Sequence, residues 1–246
     1  MQTFYMTDAG KVRTHNEDNV TIIKNKNNEY ILAVADGMGG HKAGEVASNI
    51  AIEYLTEEFE KTETLGKKED AIDWLRNIVK QINEKIFSYT ETHPESKGMG
   101  TTLVIAIKTN DYILYGNIGD SSGYVLKNGK LHKVTKDHTL VNLLVSTGEL
   151  TAEQAKFHPR KNLLTRALGA NDPIEIDIFD VDNTVGALFL CSDGLTNMVT
   201  DEQIEKVLNS NFSIEEQVEK LIKKSNMRGG PDNISIAYLK RESGDL

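Results

Sequence analysis

Four aspartates stand where an apolar run gives way to a turn. Asp36 follows the aliphatic run 31–35 and precedes Gly37, which permits a tight turn or a close backbone approach. The others occur in similar surroundings: Asp120, Asp193 and Asp232. No basic cluster accompanies these carboxylates, and hard divalent cations take oxygen ligands. The pattern therefore predicts a site for Mg²⁺ or Mn²⁺, and such ions can activate water for hydrolysis.

The elements that must position these aspartates form an order of strands, two helices, strands, two helices and a last strand. Apolar or alternating runs predict strands at 2–6, 20–24, 30–35, 102–107, 112–117, 124–126, 131–134, 174–181, 187–191 and 234–239. Apolar stripes predict helices at 43–59, 71–89, 202–208 and 215–226, with short helical patterns at 140–145 and 152–157. This order differs from the regular alternation of a parallel doubly wound sheet. It predicts an α+β sandwich of antiparallel sheets covered by helix pairs, with Trp74 in the packing.

Composition and charge limit the class of protein. The chain has 246 residues and a net charge of −9 at pH 7, a length that a single core can serve. The acidic balance argues against binding to a phosphate backbone, so we expect no nucleic acid partner. We interpret residues 1–246 as one domain, in which the polar segment 137–166 forms a flap carried on the sheet.

The cysteine content and the hydropathy of the chain indicate the cellular compartment in which the protein is expected. Cys191 is the only cysteine and lies in an apolar run, where a small core residue is a better interpretation than a nucleophile. A chain without a disulfide framework suits a reducing compartment. The first residues lack the basic start and apolar stretch of a signal peptide, and no run of about 18 apolar residues occurs. We therefore expect a cytoplasmic protein without membrane insertion.

Three other kinds of site are disfavoured. Gly119-Asp-Ser121-Ser-Gly123 fits the G-x-S-x-G pattern of serine hydrolases, but a strand follows it instead of a helix, and no histidine occurs after His158. The run 123–130 misses the spacing of a phosphate-binding loop. The six histidines have no zinc-binding spacing.

Short motifs recur in order along almost the whole chain. They are Arg13-x-x-Asn16-Glu17-Asp18, Ala35-Asp36-Gly-Met-Gly-Gly-His41, Gly98-Met-Gly100-Thr-Thr102, Gly119-Asp120-Ser121, Ser192-Asp193-Gly194-Leu195 and Asp232-Asn233. Their order and spacing resemble the metal-dependent serine/threonine protein phosphatases of the protein phosphatase 2C family. Asp137-His-Thr-Leu-Val-Asn142 and His158-Pro-Arg-x-Asn162 resemble the bacterial branch. The resemblance implies a four-layer αββα sandwich, two stacked antiparallel sheets flanked by helix pairs, with metals in a cleft at one end.

The resemblance also implies the ligands of two core metal ions, Mg²⁺ or Mn²⁺. Asp36 would bridge the two ions, and Gly37 would offer its carbonyl oxygen. Asp193 and Asp232 would complete the protein ligands of one ion. Water that bridges the ions would be acidic enough to attack phosphorus as hydroxide, without a covalent enzyme intermediate.

Further carboxylates are implied at the edges of this pair. Asp18, with Glu17 nearby, would act through bound water. A third ion, a feature of the bacterial branch, would use Asp120 together with Asp193.

Arg13 and His41 are the expected groups for the substrate phosphate and the leaving oxygen. The planar fork of Arg13 matches phosphate oxygens, although a surface charge in a turn is its plainer interpretation. His41 is a candidate general acid. The alternative, that His41 caps the helix beginning near residue 43, is equally compatible with the sequence.

Two neighbouring features are interpreted as structural. Thr101 and Thr102 carry a polar turn into a strand and would support the site without binding metal. The family commonly has arginine after Gly-Asp-Ser, where this chain has Ser122. The difference removes a salt bridge near the hairpin but leaves the metal ligands intact.

The implied activity is hydrolysis of phosphoserine and phosphothreonine in proteins, with a cognate bacterial Ser/Thr kinase and its substrates as partners. Two alternatives stay open: a phosphatase-like protein that binds phosphoproteins without turnover, and a metal-dependent phosphodiesterase. The negative net charge disfavours the phosphodiesterase.

Overall fold

Two antiparallel β-sheets stack face to face in the computed structural model, which describes residues 1–40 and 43–242. The strands are β1 (Gln2–Asp8), β2 (Asp18–Lys24), β3 (Tyr30–Met38), β4 (Gly100–Thr101), β5 (Leu103–Lys108), β6 (Ile113–Ile118), β7 (Ser122–Lys127), β8 (Lys130–Lys133), β9 (Asp177–Val181), β10 (Ala187–Cys191) and β11 (Ile234–Lys240). One sheet has the order β1-β11-β10-β7-β8. The other has the order β2-β3-β5-β6-β9, with β4 paired to β3.

Helices cover the outer face of each sheet. They are α1 (Ala43–Lys61), α2 (Lys68–Thr92), α3 (Leu140–Ser146), α4 (Ala152–Lys156), α5 (Asp193–Thr196), α6 (Asp201–Leu208) and α7 (Ile214–Met227). Helices α1 and α2 pack on the sheet that contains β3, and α6 and α7 pack on the sheet that contains β10. Among the described residues, no helix has both the length and the apolar composition needed to span a bilayer.

The alternation of side chains along β3 builds two cores at once. Leu32 and Val34 face the other sheet, where they meet Leu188 and Leu190 of β10. Ile31 and Ala33 point the opposite way, into the core under α1 and α2. A strand that is buried on both faces has apolar residues at successive positions because neither of its faces is exposed to water. The predicted four-layer αββα sandwich is confirmed.

The helix stripes are mostly confirmed, with one correction at α1. Its fully buried face contains small residues such as Ala47 and Ala51, whereas Val46 and Ile50 are only partly buried. Small side chains let α1 approach the sheet closely. On α2, Trp74 packs edge to face against Phe59 of α1, with ring centroids 6.1 Å apart.

Several boundaries differ from the predictions; β2, for example, begins at Asp18 and not at Val20. Strand β3 continues past Asp36 to Met38, because Gly37 and Met38 pair with β4. Strand β9 begins at Asp177, since Ile174 and Ile176 pack against the core ahead of the paired segment. The short helix α5 was not predicted; four residues are too few to give a helical period.

Backbone atoms of two other segments lie so close to Gly37 that they leave no room for a side chain. A Cβ built on Gly37 would lie 2.2 Å from the carbonyl oxygen of Gly44 and 2.5 Å from that of Glu17. These are backbone atoms, which cannot rotate away. The absence of a side chain therefore lets the strand that carries Asp36 fit between the start of α1 and the turn before β2.

We predict that Gly37→Ala lowers the free energy of unfolding by about 1–3 kcal/mol, because the added methyl meets fixed backbone. Gly40→Ala is the matched control, since its Cβ would meet nothing within 4 Å, and it should change stability by less than about 0.5 kcal/mol. Urea unfolding in the presence of a chelator measures both. Equal stability of the two variants would contradict this explanation.

Candidate metal centre

Asp18 and Asp36 form the centre of the site, on neighbouring strands. The register of β2 and β3 places them directly opposite each other. Directly opposed side chains on one face lie about 5 Å apart, and like charges there repel. The sheet therefore brings together two carboxylates that destabilise each other in the absence of a cation.

Asp193 and Asp232 enter from the other sheet. Asp193 is the first residue of α5, directly after β10, and Asp232 lies in the turn between α7 and β11. A Cβ on Gly194 would lie 1.9 Å from the carbonyl oxygen of Asn233. Glycine at this position thus allows α5 to approach the turn that carries Asp232, which brings the two aspartates into one cleft.

The electrostatics of the site are those of crowded, buried carboxyl groups. Burial is the largest cause of a raised pKa at Glu17, Asp18, Asp36, Asp120 and Asp193. It raises the pKa of Asp18 to about 7, and that of Asp120 to about 7. Asp36 is raised well above its usual pKa, first by burial and then by the neighbouring aspartates. The ionised forms therefore need a positive charge nearby.

Several carboxylate oxygens in the site have no hydrogen-bond donor. Among the described residues, Glu17 Oε1, Asp18 Oδ1 and Asp193 Oδ1 are buried and unpartnered. Within the same residues, no group of three or more His, Cys, Asp or Glu side chains is already arranged around one point as a metal shell. Mg²⁺ keeps several of its waters, so it needs fewer direct protein contacts than a closed shell supplies. The donor set and the free oxygens fit a hydrated divalent cation.

Neutral hydrogen bonds hold the backbone of Asp36 in place. Thr102 Oγ1 accepts from the Asp36 N–H over 3.0 Å, and Thr101 Oγ1 donates to the Asp36 carbonyl oxygen over 3.0 Å. The Thr102 N–H donates to the same carbonyl over 2.9 Å. Both threonines are buried. They agree with the interpretation of Thr101 and Thr102 as supporting residues.

A serine pair that sequence reasoning missed orients Asp18. Ser192 Oγ donates to Asp18 Oδ2 over 2.7 Å and accepts from the Ser235 N–H over 2.9 Å. Ser192 directly follows β10, and Ser235 lies on the neighbouring strand β11; both are far from Asp18 in sequence. No local spacing could have indicated the contact, although Ser192 stands next to a predicted ligand.

Asn233 ties the N-terminal turn to the site. Its Oδ1 accepts from the Glu17 N–H over 2.9 Å, and its Nδ2 donates to the carbonyl oxygens of Ala9 and His15. One buried amide thus fixes the turn that carries Arg13 and Glu17. Asn233 belongs to one of the motifs found in the sequence, but the sequence alone indicates no role for it.

Arg13 reaches the cleft, as predicted, but it is paired with a predicted ligand. Its Nε lies 3.0 Å from Asp232 Oδ1, and its Nη2 donates to Asp232 Oδ2 over 3.1 Å. This is the two-pronged geometry that guanidinium also makes with phosphate. The side chain of Arg13 is also half-exposed, so the structure is equally compatible with the plainer interpretation, a surface charge in a turn.

Asp120 lies on the side of the cleft that faces the segment 137–166. A cavity of about 300 Å³ is lined by Asp120 and Asp193 together with residues of α3 and α4. Burial raises the pKa of Asp120, and the nearby negative charge of Asp193 raises it further. The structure thus brings Asp120 to Asp193, as the sequence predicted.

The remaining predictions concern His41, Cys191, Ser121 and Ser122. His41 lies outside the described residues. Cys191 is buried, and burial raises the pKa of its thiol, which agrees with a core residue. Ser121 is followed by β7, and its Oγ lies 2.8 Å from Thr102 Oγ1, so the hydrolase elbow is absent at this position. Ser122 is buried at the start of β7, opposite Cys191.

Comparisons with known proteins agree with this geometry. The family model described as protein phosphatase 2C matches residues 9–228. The chain belongs to this family. Its bacterial members include the serine/threonine phosphatase stp of Listeria welshimeri, to which this chain is 45% identical over 242 residues, covering 98% of this chain and 96% of the relative.

Solved structures of protein phosphatase 2C members resemble this one closely. The S. agalactiae serine/threonine phosphatase has a TM-score of 0.93 at 35% identity, covering 98% of this chain and 99% of that one. The catalytic domain of the serine/threonine protein phosphatase PstP, in complex with two manganese ions, has a TM-score of 0.82 at 35% identity, with 96% of each chain covered. Metal dependence is therefore a property of the family to which this chain belongs.

For this protein phosphatase 2C member, we predict that stability without metal falls as pH rises from about 5 to about 7. Five carboxyl groups bind protons more tightly in the folded chain than in the unfolded one, so the unfolded state gains stability as they ionise. The lowered pKa of His138 acts in the opposite sense. So do the lowered pKa values of Asp177, Asp182, Glu202 and Glu205, but these carboxyl groups are largely ionised in both states above about pH 5.

Urea unfolding at about pH 5 and about pH 7.5, with chelator and then with Mn²⁺, measures this dependence. Mn²⁺ should restore stability at the higher pH, because it binds the ionised folded state. A metal-free stability that is constant or rises over this range would contradict the prediction.

Proposed function

We propose that this chain hydrolyses phosphoserine and phosphothreonine in proteins, and that its buried carboxylates hold the metal ions this chemistry requires. The single observation that carries the proposal is the cluster of Asp18, Asp36 and Asp193, whose buried carboxylates form no ion pair with a cation among the described residues. The family of the chain supports the reaction. The cluster supports the assignment of the ligands.

The proposed ligands of the two core ions are those implied by the motifs. Asp36 is close enough to Asp18, Asp120, Asp193 and Asp232 for each to raise its pKa, and it is the residue proposed to bridge, together with the Gly37 carbonyl oxygen. Asp193 and Asp232 are proposed to bind directly. When bound, divalent cations would neutralise the carboxylates and lower the pKa of water in the cleft. The chain's own part is to hold these oxygens in place and to keep apolar groups away from them.

Outer carboxylates are proposed to act on the hydration shell. Asp18 has one oxygen held by Ser192 and the other free, which suits a contact through water. Glu17 has one buried free oxygen on the same side. Asp120 with Asp193 is proposed to bind a third ion, and Mg²⁺ or Mn²⁺ is proposed as the metal at all of these positions.

Arg13 is proposed to bind the substrate phosphate. Its fork already holds two oxygens of Asp232, and a phosphate monoester presents the same spacing of oxygens. Both members of the pair are partly exposed, with 50% and 34% of their side-chain surfaces accessible. An exposed pair is worth only about 0–1 kcal/mol, so phosphate can replace Asp232 at little energetic cost. His41 is the proposed proton donor to the leaving seryl or threonyl oxygen.

Separate observations support proposals on the domain organisation, the cellular location and the partners. We propose one catalytic domain, in which the segment 137–166 is a flap over the cavity beside Asp120 and selects substrates. The lone buried cysteine suits the cytoplasm. The partners proposed are phosphoproteins made by a cognate Ser/Thr kinase.

We predict that hydrolysis of a phosphothreonine peptide requires added Mn²⁺ or Mg²⁺ and stops with chelator. Asp193→Asn should lower the turnover number at least about 100-fold, because an amide keeps the shape but supplies no charge to a cation. Asp73→Asn is the matched control, since Asp73 is exposed on α2, and it should behave as wild type. Steady-state kinetics across a metal titration measures each of these.

The same assay can contradict the proposal in two ways. Equal rates with metal and with chelator would rule out a metal mechanism. Peptide and metal binding without turnover in the wild-type chain would instead support a phosphoprotein-binding module.

Arg13→Lys tests the phosphate contact separately. Lysine keeps the charge and loses the fork, so we expect KM to rise roughly tenfold or more, with a smaller fall in kcat. Mn²⁺ binding measured by calorimetry should be kept, because the substitution loosens the hold on Asp232. Weaker Mn²⁺ binding with an unchanged KM would contradict the role of Arg13.

A further inference from the structure

His138 lies between β8 and α3, and it holds the residue before Asp120 at two points. Its backbone N–H donates to the Gly119 carbonyl oxygen over 2.9 Å. Its ring Nδ1 accepts from the Gly119 N–H over 3.1 Å. Both polar backbone groups of Gly119 therefore bind to one residue. Gly119 has a φ of +100° and directly precedes Asp120.

The far nitrogen of the same ring faces an ion pair. His138 Nε2 lies 3.2 Å from Asp177 Oδ2, and Arg166 Nη1 donates to Asp177 Oδ1 over 2.6 Å. Arg166 Nη1 also lies 3.3 Å from His138 Nε2. Asp177 is the first residue of β9, an edge strand. The imidazole thus connects the loop before Asp120 to the edge of the sheet.

These contacts fix one tautomer of His138. Nδ1 must present its lone pair, because the Gly119 N–H donates to it. The proton of the neutral ring is then on Nε2, where it donates to Asp177. Arg166 donates to the other oxygen of the same carboxylate. A proton on Nδ1 would instead point at the Gly119 N–H.

The charges around the ring agree with a neutral imidazole. Burial lowers the pKa of His138, and the Arg166 guanidinium acts in the same direction, while Asp177 and Asp137 act against them. The lone pair on Nδ1 is therefore present near neutral pH. Burial would raise the pKa of Asp177, but hydrogen bonds from Arg166 and His138 lower it overall. The carboxylate stays ionised to accept from the ring.

We propose that His138 is a positioning residue for Asp120: its Nδ1 holds the Gly119 N–H and thereby the direction in which the Asp120 carboxylate points. The inference rests on the proposed function, in which Asp120 binds a divalent cation. On the other side of Asp120, Ser121 is anchored to Thr102 by the hydroxyl contact of 2.8 Å. Loss of the ring acceptor would leave the Gly119 N–H without its partner, while the Gly119 carbonyl oxygen would keep its bonds from the His138 N–H and from Asn117 Nδ2. The peptide before Asp120 would then be held on one side only, at a glycine whose backbone has a wide conformational range. Groups that orient metal ligands in this way commonly matter nearly as much as the ligands.

Two variants that replace His138 by an amide side chain test the Nδ1 acceptor separately from the rest of the imidazole ring. In His138→Asn the amide oxygen can take the place of Nδ1, whereas in His138→Gln the amide reaches the place of Nε2 and Gly119 loses its acceptor. We expect His138→Gln to weaken the Mn²⁺ site that Asp120→Asn also weakens, by roughly 10–100-fold in Kd. His138→Asn should stay within a few-fold of wild type. Calorimetry with Mn²⁺ on the full chain measures both, and thermal melts report folding.

Asp177→Ala tests the tautomer. Without the carboxylate the ring can carry its proton on either nitrogen, so Mn²⁺ binding at Asp120 should weaken, but less than in His138→Gln. In the His138→Asn background the same substitution should add little, because asparagine makes no use of the Nε2 position. The double-mutant cycle therefore gives a coupling between His138 and Asp177 that a space-filling residue would lack.

Several results would overturn the proposal. Equal losses in His138→Asn and His138→Gln would do so, as would wild-type Mn²⁺ binding in His138→Gln. A common fall in melting temperature with every Mn²⁺ affinity reduced alike would indicate a merely structural residue. A wild-type chain that binds Mn²⁺ but fails to hydrolyse the phosphothreonine peptide would contradict only the proposed function, because the order of Mn²⁺ affinities would still decide the role of His138.

Discussion

The repulsion among buried carboxylates is the constraint on which the rest of the site depends. Asp18 and Asp36 face each other across two strands, and Asp193 approaches from the other sheet. Removing such groups from water is costly unless a charge of opposite sign compensates. The site is therefore a region where affinity for a cation opposes the stability of the metal-free fold.

The surrounding structure holds these carboxylates without neutralising them. Thr101 and Thr102 bind the backbone of Asp36, and Ser192 binds one oxygen of Asp18. All are neutral groups, so they fix position and leave net negative charge in place. Two glycines also help to place the carboxylates without adding charge. Gly37 and Gly194 let backbone segments approach to distances that any side chain would prevent. Rigid placement by neutral partners lowers the cost of ordering the ligands when a cation arrives.

The sequence predicted most of the fold, because the two stacked sheets need apolar runs and the outer helices need apolar stripes. Strand β3 is the clearest case, since Ile31 to Ala35 is buried on both faces. The boundaries near the site were less predictable. The extension of β3 to Met38 depends on pairing with β4, and α5 depends on the packing of Leu195, so both are set by distant segments.

The same distinction separates the site residues that could be predicted from those that could not. Asp36 and Asp193 are marked locally, by an apolar run that ends in a carboxylate and glycine. Ser192, Asn233 and His138 act through partners that are remote in the chain or depend on the direction of a ring nitrogen. Spacing carries no information about such contacts. They could be found only once the sheets had brought the segments together.

Arg13 pairs with a carboxylate at the rim of the cleft, and its exposure determines how strong that pair is. A buried guanidinium would bind Asp232 strongly, because the pair would be shielded from water, and it would then exclude a cation from that carboxylate. At the rim, with half of its side-chain surface accessible, the pair is weak and exchanges readily. Arg13 can therefore neutralise Asp232 while the cleft lacks metal and still turn to phosphate afterwards. At the edge of the cleft, one residue can therefore both neutralise Asp232 and release it. At the buried centre of the cleft a strong ion pair would prevent that release.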